Sequence, residues 1–297
     1  MSAPASDFSP VLLPDAGSTR FTGIRRLLRD PLGLAGLILV AAFLASALFA
    51  HWLAPYDPNA LDLRARLTAP TLAHLAGTDQ LGRDTFSRVL FGGRVALEVA
   101  AWSISVSLVL GILLGMLAGY GPRWLDSALL LLFDTVRSFP TIMFALAAVT
   151  LAGPSLEMVI LILIVTSVPV YGRIVRTQTL SLKVTEFILA ERSLGAGQAR
   201  ILCVHVLPNV IGPLLILASM DVPVVVTVEA GLSFLGLGVR PPTPSWGNIL
   251  SDGYAFIRST PWLVIAGGFP LILTTLGFTF LGEALRDIFD PKLRRTP

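Results

Sequence analysis

Six apolar runs, each long enough to cross a bilayer, constrain this chain more than any other feature. They cover roughly residues 32–54, 95–120, 125–151, 156–175, 210–232 and 261–281. An α-helix rises ~1.5 Å per residue and the hydrocarbon layer is ~30 Å thick, so about 20 apolar residues make one crossing. Hydrophobic residues make up 54% of the chain and charged residues only 14%, where a soluble domain carries about 25% charged. The fold class that follows is an all-α integral membrane protein with six transmembrane helices.

Residues 1–31 form a polar tail with Arg20, Arg25, Arg26 and Arg29 just before the first run. Ala45-Ser46-Ala47 resembles a signal-cleavage site. The leader is long, however, and the run over 32–54 exceeds a signal-peptide core, so it reads as a retained first span. With the amino terminus inside, the inner segments hold fourteen Lys/Arg and the outer segments seven, five of them in the long first loop. This bias agrees with the positive-inside rule and predicts an N-in/C-in arrangement with residues 286–297 as an inner tail. The basic residues are spread over loops and act as topology determinants, not as a nucleic-acid patch, despite a net charge of +3.

Several chemistries lack their residues. Cys203 is the only cysteine, so no intrachain disulfide or cysteine metal cluster forms. His51, His74 and His205 are far apart in sequence and none belongs to a His-Glu-x-x-His motif. There is no Gly-x-Ser-x-Gly, and neither Lys183 nor Lys292 follows a glycine, which excludes a phosphate-binding P-loop. No catalytic residue, metal site or cofactor is assigned. If ATP drives this protein, another chain binds it.

Two polar intervals carry patterns. Residues 55–94 form a turn-rich loop holding the run Gly77-Thr78-Asp79-Gln80-Leu81-Gly82-Arg83-Asp84, with acids and arginines able to pair. Glu186 to Pro208, within a loop over about 179–208, is the longest polar interval of the second half. Glu186 and Glu191 stand early in a helix-forming stretch, Gly195 and Gly197 can end it, and a second segment runs into Leu207-Pro208.

Within the runs, Gly111, Gly115 and Gly119 recur at four-residue spacing, which clears one helix face for close packing unless the spacing is accidental. Asp134 and Arg137 lie three apart and can pair, and Ser138-Phe139-Pro140 predicts a kink in the third span. Asp221 and Glu229 fall inside the fifth run, where a charge costs roughly 2.5–3.5 kcal/mol near the bilayer centre. They are candidate pathway or intramembrane polar residues. With Glu98 they also allow a rival reading, a proton-coupled secondary transporter, although no inverted repeat is visible. An intramembrane enzyme would need a nucleophile–base or metal constellation that the chain lacks.

The interval ending in Leu207-Pro208 resembles the coupling loop of ABC-importer permeases, in which Glu-Ala-Ala is followed by Gly and then Leu-Pro. Gly195, Ala196, Leu207 and Pro208 fit its spacing. The triplet positions hold Leu189, Ala190 and Glu191, so the acid stands two positions later than in the family pattern. The run Gly77, Thr78, Asp79, Leu81, Gly82, Arg83, Asp84 resembles the signature of the dipeptide/oligopeptide/nickel branch. Glu229, Ser233-Phe234-Leu235-Gly236-Leu237-Gly238 and Pro241-Pro242-Thr243-Pro244-Ser245-Trp246-Gly247 do so as well. The resemblance implies a type I ABC importer permease in a bacterial inner membrane, with an extracytoplasmic loop over 55–94 and a permease core over 95–285. It also implies a homologous second permease, two ATP-binding subunits that bind the ATP, and an extracytoplasmic solute-binding protein as partners. Substrates implied are di- or oligopeptides first, with nickel or another small solute as the alternative.

Overall fold

The computed structural model describes residues 27–289. Of the basic residues counted above, Arg20, Arg25, Arg26, Lys292, Arg294 and Arg295 lie outside the described residues. The regular secondary structure of the described residues is helical, and a single isolated bridge, Thr78 to Asp84, is their only β-type pairing.

The main helices are α1 (Pro31–Leu48), α2 (Thr85–Tyr120), α3 (Arg123–Arg137), α4 (Thr141–Ala152), α5 (Leu156–Lys183), α6 (Glu186–Ser193), α7 (Gln198–Phe234), α8 (Trp246–Ala255) and α9 (Trp262–Phe289). Local chemistry sets several starts. Asp30 accepts from the Gly33 amide at 2.8 Å with Pro31 opening α1, and Ser155 accepts from the Met158 amide at 3.1 Å at the head of α5. These side chains satisfy amides that the helix itself leaves free.

Five helices (α1, α2, α5, α7 and α9) are long and apolar enough to cross a membrane. The pair α3–α4, bent by 85°, makes a sixth crossing when its two halves are counted as one span. The single kinked helix expected over 125–151 is therefore two helices. Pro140 lacks an amide proton and disfavours helical backbone at Phe139, while the Ser138 amide and hydroxyl both donate to the Asp134 carbonyl, at 2.9 and 2.7 Å. The halves also differ in character, since α3 carries Arg123, Asp126, Asp134 and Arg137 and α4 carries no charge.

Helix packing orders the crossings. The Gly111, Gly115, Gly119 stripe lies on α5, with Gly111 against Tyr171, Gly115 against Gly172 and Val175, and Gly119 against Thr179. Residue numbers rise together along this contact, so α2 and α5 run parallel. The α3–α4 pair must then return the chain to its starting end. On the other side, α1 and α9 run antiparallel, with Gly36 against Leu281 and Gly277 against Leu39. One buried cluster (Phe43, Val99, Val159, Ile162, Leu232 and Trp246 among others) fills the end nearest the 55–84 loop. A second, around Ile112, Tyr171, Val175, Ile188, Ile201 and Leu214, fills the end nearest α6. These two ends are called the loop end and the lever end below.

Several boundaries differ from the sequence reading, among them the ends of α1 at Leu48 and of α9 at Phe289. Helix α2 begins at Thr85, not near residue 95, because Asp84 accepts from the Ser87 amide at 2.8 Å and caps it. Its first turns are polar, which hides them from a hydropathy argument. Helix α5 continues to Lys183. Helix α7 starts at Gln198 and reaches Pro208 through a π-type stretch, Ile201–Val206. Pro208 cannot donate to the turn before it, and the widened π-turn lets the helix pass that point without breaking.

Candidate functional site

At the lever end, α6 is a two-turn helix that shows one apolar side chain inward. Ile188 is fully buried between Ile201, Val206 and the α2–α5 pair. The other face is open: Leu189 and Ala190 are exposed, and Leu194 is 85% exposed. Glu191 is half-buried with its carboxylate 3.6 Å from His205 Nε2 on the α7 root. Its carbonyl accepts from the Ala196 amide at 3.0 Å. Gly195 has φ +84, a region that residues with a Cβ seldom adopt, and nothing lies within 4 Å of where a Cβ would stand. It turns the chain sharply from α6 into α7. Leu207 and Pro208 lie on α7, Leu207 half-buried and Pro208 exposed.

Charged pairs brace this end. Arg176 of α5 grips Asp126 of α3 through two nitrogens. Arg173 pairs with Asp134, so Asp134 reaches across to α5 instead of pairing with Arg137 as the sequence spacing indicated. In mid-bundle, Tyr171 donates to Asp221 at 2.6 Å. Glu229 is fully buried and accepts from Ser233 at 2.8 Å. Ser233 Oγ in turn accepts from the Val239 amide at 3.2 Å, tying Glu229 to the loop after α7. The two intramembrane acids are therefore unlike: Asp221 is half-buried between two spans, whereas Glu229 supports a loop.

At the loop end, the run Gly77 to Asp84 forms a knot on the head of α2. Asp79 Oδ1 accepts from the Leu81 and Arg83 amides at 2.8 and 3.0 Å, and Oδ2 accepts from Arg83 Nε at 2.6 Å. Arg88 Nε stands 3.5 Å from the same oxygen, and its Nη1 donates to the Pro58 carbonyl at 3.1 Å. Arg83 also faces Asp252 of α8 at 3.7 Å. Asp84 pairs with His74 at 2.9 Å. Thr78, Asp79, Arg83, Asp84 and Arg88 are all at least 95% buried. Gly82 has φ +75 and packs directly on the Asp62 backbone, so it has room for no side chain. The signature run 241–247 joins the same end. Trp246 Nε1 donates to the Val89 carbonyl at 2.9 Å, and its ring lies on Gly92 and Gly93.

The family model described as the binding-protein-dependent transport system inner membrane component matches residues 111–295. The chain belongs to that family. Residues 22–70 match a second model, the N-terminal TM domain of oligopeptide transport permease C. Among curated relatives, the dipeptide transport system permease protein DppC of Alkalihalophilus pseudofirmus is 38% identical over 270 residues, covering 91% of this chain and 89% of that one. The glutathione transport system permease protein GsiD of Pectobacterium atrosepticum is 37% identical over 271 residues, covering 91% and 90%. A solved inward-facing MetNI methionine ABC transporter chain superposes with a TM-score of 0.55 at 19% identity, over 68% of this chain and 97% of that one. That last likeness supports the all-helical importer fold.

As an ABC importer permease, the protein is a multi-pass component of the inner membrane. Sequence reasoning located the runs 77–84, 233–238 and 241–247 but could not show that the first and last meet. It also missed Arg88, Asp252 and Trp246 as one cluster with Asp79. The available signal was a pair of arginines next to an apolar run, which fits an interfacial loop equally well. Asp126 and Arg176 were missed as partners because they lie 50 residues apart.

Proposed function

We propose that this chain is the transmembrane permease subunit of an ATP-driven importer of short peptides, and that residues 179–208 couple it to ATP-binding subunits. The observation that carries the reading is the form of α6. It is a short, internally pinned helix whose outward face presents Leu189, Ala190 and Leu194 beyond one buried residue, Ile188. An exposed apolar face at a polar loop indicates an interaction site. Leu189, Ala190, Glu191, Gly195, Ala196, Leu207 and Pro208 form this element in the proposal. Leu189 and Ala190 face the partner, Glu191 and Ala196 hold the turn, and Gly195 and Leu207-Pro208 set the angle between the lever and α7.

In this mechanism the lever end lies in the cytoplasm, with both termini inside. A homologous second permease completes the pathway. Closure of two ATP-binding subunits pushes α6, and the bundle switches as rigid bodies from inward to outward opening. An extracytoplasmic binding protein delivers substrate at the loop end. The relatives named for dipeptides and for glutathione are nearly equally similar, which supports peptides as a class over any one peptide. Asp221, half-buried and held by Tyr171, is the candidate pathway residue, whereas the burial of Glu229 supports a role in the loop.

Gentle detergent extraction of the tagged chain tests this reading. The expected result is co-purification of a second permease and ATP-binding subunits, with ATP turnover. An intact chain that emerges alone and transports independently of ATP would overturn it.

A further inference from the structure

Resting on that coupling reading, we propose that Tyr120 is the positioning residue through which the lever helix α6 moves α2. Tyr120 is the last residue of α2 and is 7% exposed. Two cations close on its ring. Lys183 Nζ, from the end of α5, and Arg192 Cζ, from the last turn of α6, each lie 5.1 Å from the ring centroid. Arg192 Nε also donates to the Tyr120 hydroxyl at 3.1 Å. Lys183 Nζ donates to the Tyr120 carbonyl at 3.1 Å, with the Gly119 carbonyl at 3.5 Å. Cations are favourable at this position for two reasons: the free carbonyls of a helix C-terminus carry partial negative charge, and the aromatic face attracts a cation.

The nearby acids are engaged elsewhere. Glu191 faces His205, and Asp126 is gripped by Arg176. Among the described residues neither Lys183 nor Arg192 is ion-paired to a carboxylate. The ring and hydroxyl of Tyr120, held by Arg192, are thus the polar anchor of α6 on α2, beside the apolar anchor Ile188, while Lys183 ties the Tyr120 carbonyl to the end of α5. On the α7 side, α6 is held by Glu191 and by the Phe187 ring 6.2 Å from that of His205. The lever therefore grips two spans, and Tyr120 is the grip on α2. That helix has α5 packed along its glycine stripe and the Asp79 knot on its head, so motion delivered at Tyr120 moves both.

The test uses the full complex with its partner permease and ATP-binding subunits, reconstituted in proteoliposomes with the binding protein. Labelled alanyl-alanine taken up per ATP hydrolysed is the readout. Tyr120→Phe keeps the ring and should stay within about twofold of wild type. Tyr120→Leu removes ring and hydroxyl and should lower the ratio roughly fivefold or more, at the low end of ordinary coupling effects, while hydrolysis persists. Arg192→Gln should move the ratio the same way. A wild-type ratio in an assembled Tyr120→Leu complex would overturn the proposal and leave the importer reading intact. If Tyr120→Leu does not assemble, Arg192→Gln decides, because Arg192 is exposed; an unchanged ratio there also overturns it. A wild-type chain that captures no ATP-binding subunit overturns both readings, and does so before any variant is made.

Discussion

Two glycines of this permease, Gly82 and Gly195, share the left-handed backbone region, with φ +75 and +84, and stand in opposite surroundings. Gly82 lies against the Asp62 backbone inside a knot of buried charges, whereas Gly195 has open space around it. The knot satisfies its own groups: Asp79 alone accepts from two amides and a guanidinium. The lever presents apolar side chains to the outside and holds the body through a few anchors. A signature built from internally satisfied polar groups is a folding device. In the proposed function, the exposed apolar groups on a pinned helix serve as a contact device. The two motifs of this family have different physics, and mutations should separate them.

The largest expected effect is at the knot. Asp79→Ala leaves Arg83 and Arg88 buried without their carboxylate, and breaking a buried pair costs about 3–5 kcal/mol. Membrane abundance and the thermal midpoint in detergent should both fall sharply. Wild-type abundance would show that the knot is not structural and would erase the contrast. Next is Gly195→Val. It strains the turn by an amount on the order of 1–3 kcal/mol, with no steric clash to add. Insertion should be normal and ATP-dependent uptake of peptide lost. Wild-type uptake would sink the coupling role of this glycine.

The smallest effect on stability is expected from Leu194→Ser, a surface change that should stay within about 0.5 kcal/mol. Retention of ATP-binding subunits during purification should nonetheless fall, since Leu194 is the most exposed apolar side chain of the lever region. Unchanged retention would move the contact elsewhere on α6. Between these extremes, Gly115→Val probes neither motif. Its Cβ would meet that of Val175 at 2.6 Å, and overpacking of this kind costs about 1–3 kcal/mol. A lower thermal midpoint with normal subunit retention is the expected pattern.

Much of this fold was readable from residue order. Long apolar runs announce crossings because lipid imposes a minimum length, and the glycine stripe announced a packing face that α5 does occupy. The Gly195 turn was readable because only glycine suits that backbone region cheaply. What stayed hidden shares a cause: it depends on pairs distant in sequence. Asp134 chose Arg173 over the nearer Arg137, because bending at Pro140 swings α3 against α5. The polar head of α2 read as loop, because its helicity comes from the Asp84 cap and from burial under Trp246, 157 residues away from Val89. Among the candidate site residues, the sequence indicated Asp221 and Glu229 alike, and only burial and partners distinguish them.

The length of α2 has a mechanical consequence. Its 36 residues make a rod of about 54 Å, well beyond the ~30 Å of hydrocarbon it must cross. The surplus includes the head that carries the Asp79 knot. A rod held at one end amplifies angle into distance: a tilt of ~5° about its lever end sweeps the far tip by roughly 5 Å, given the ~1.5 Å rise per residue. A tilt of a few degrees at one face of the membrane can thus reshape the surface at the other face without any helix unfolding along the way.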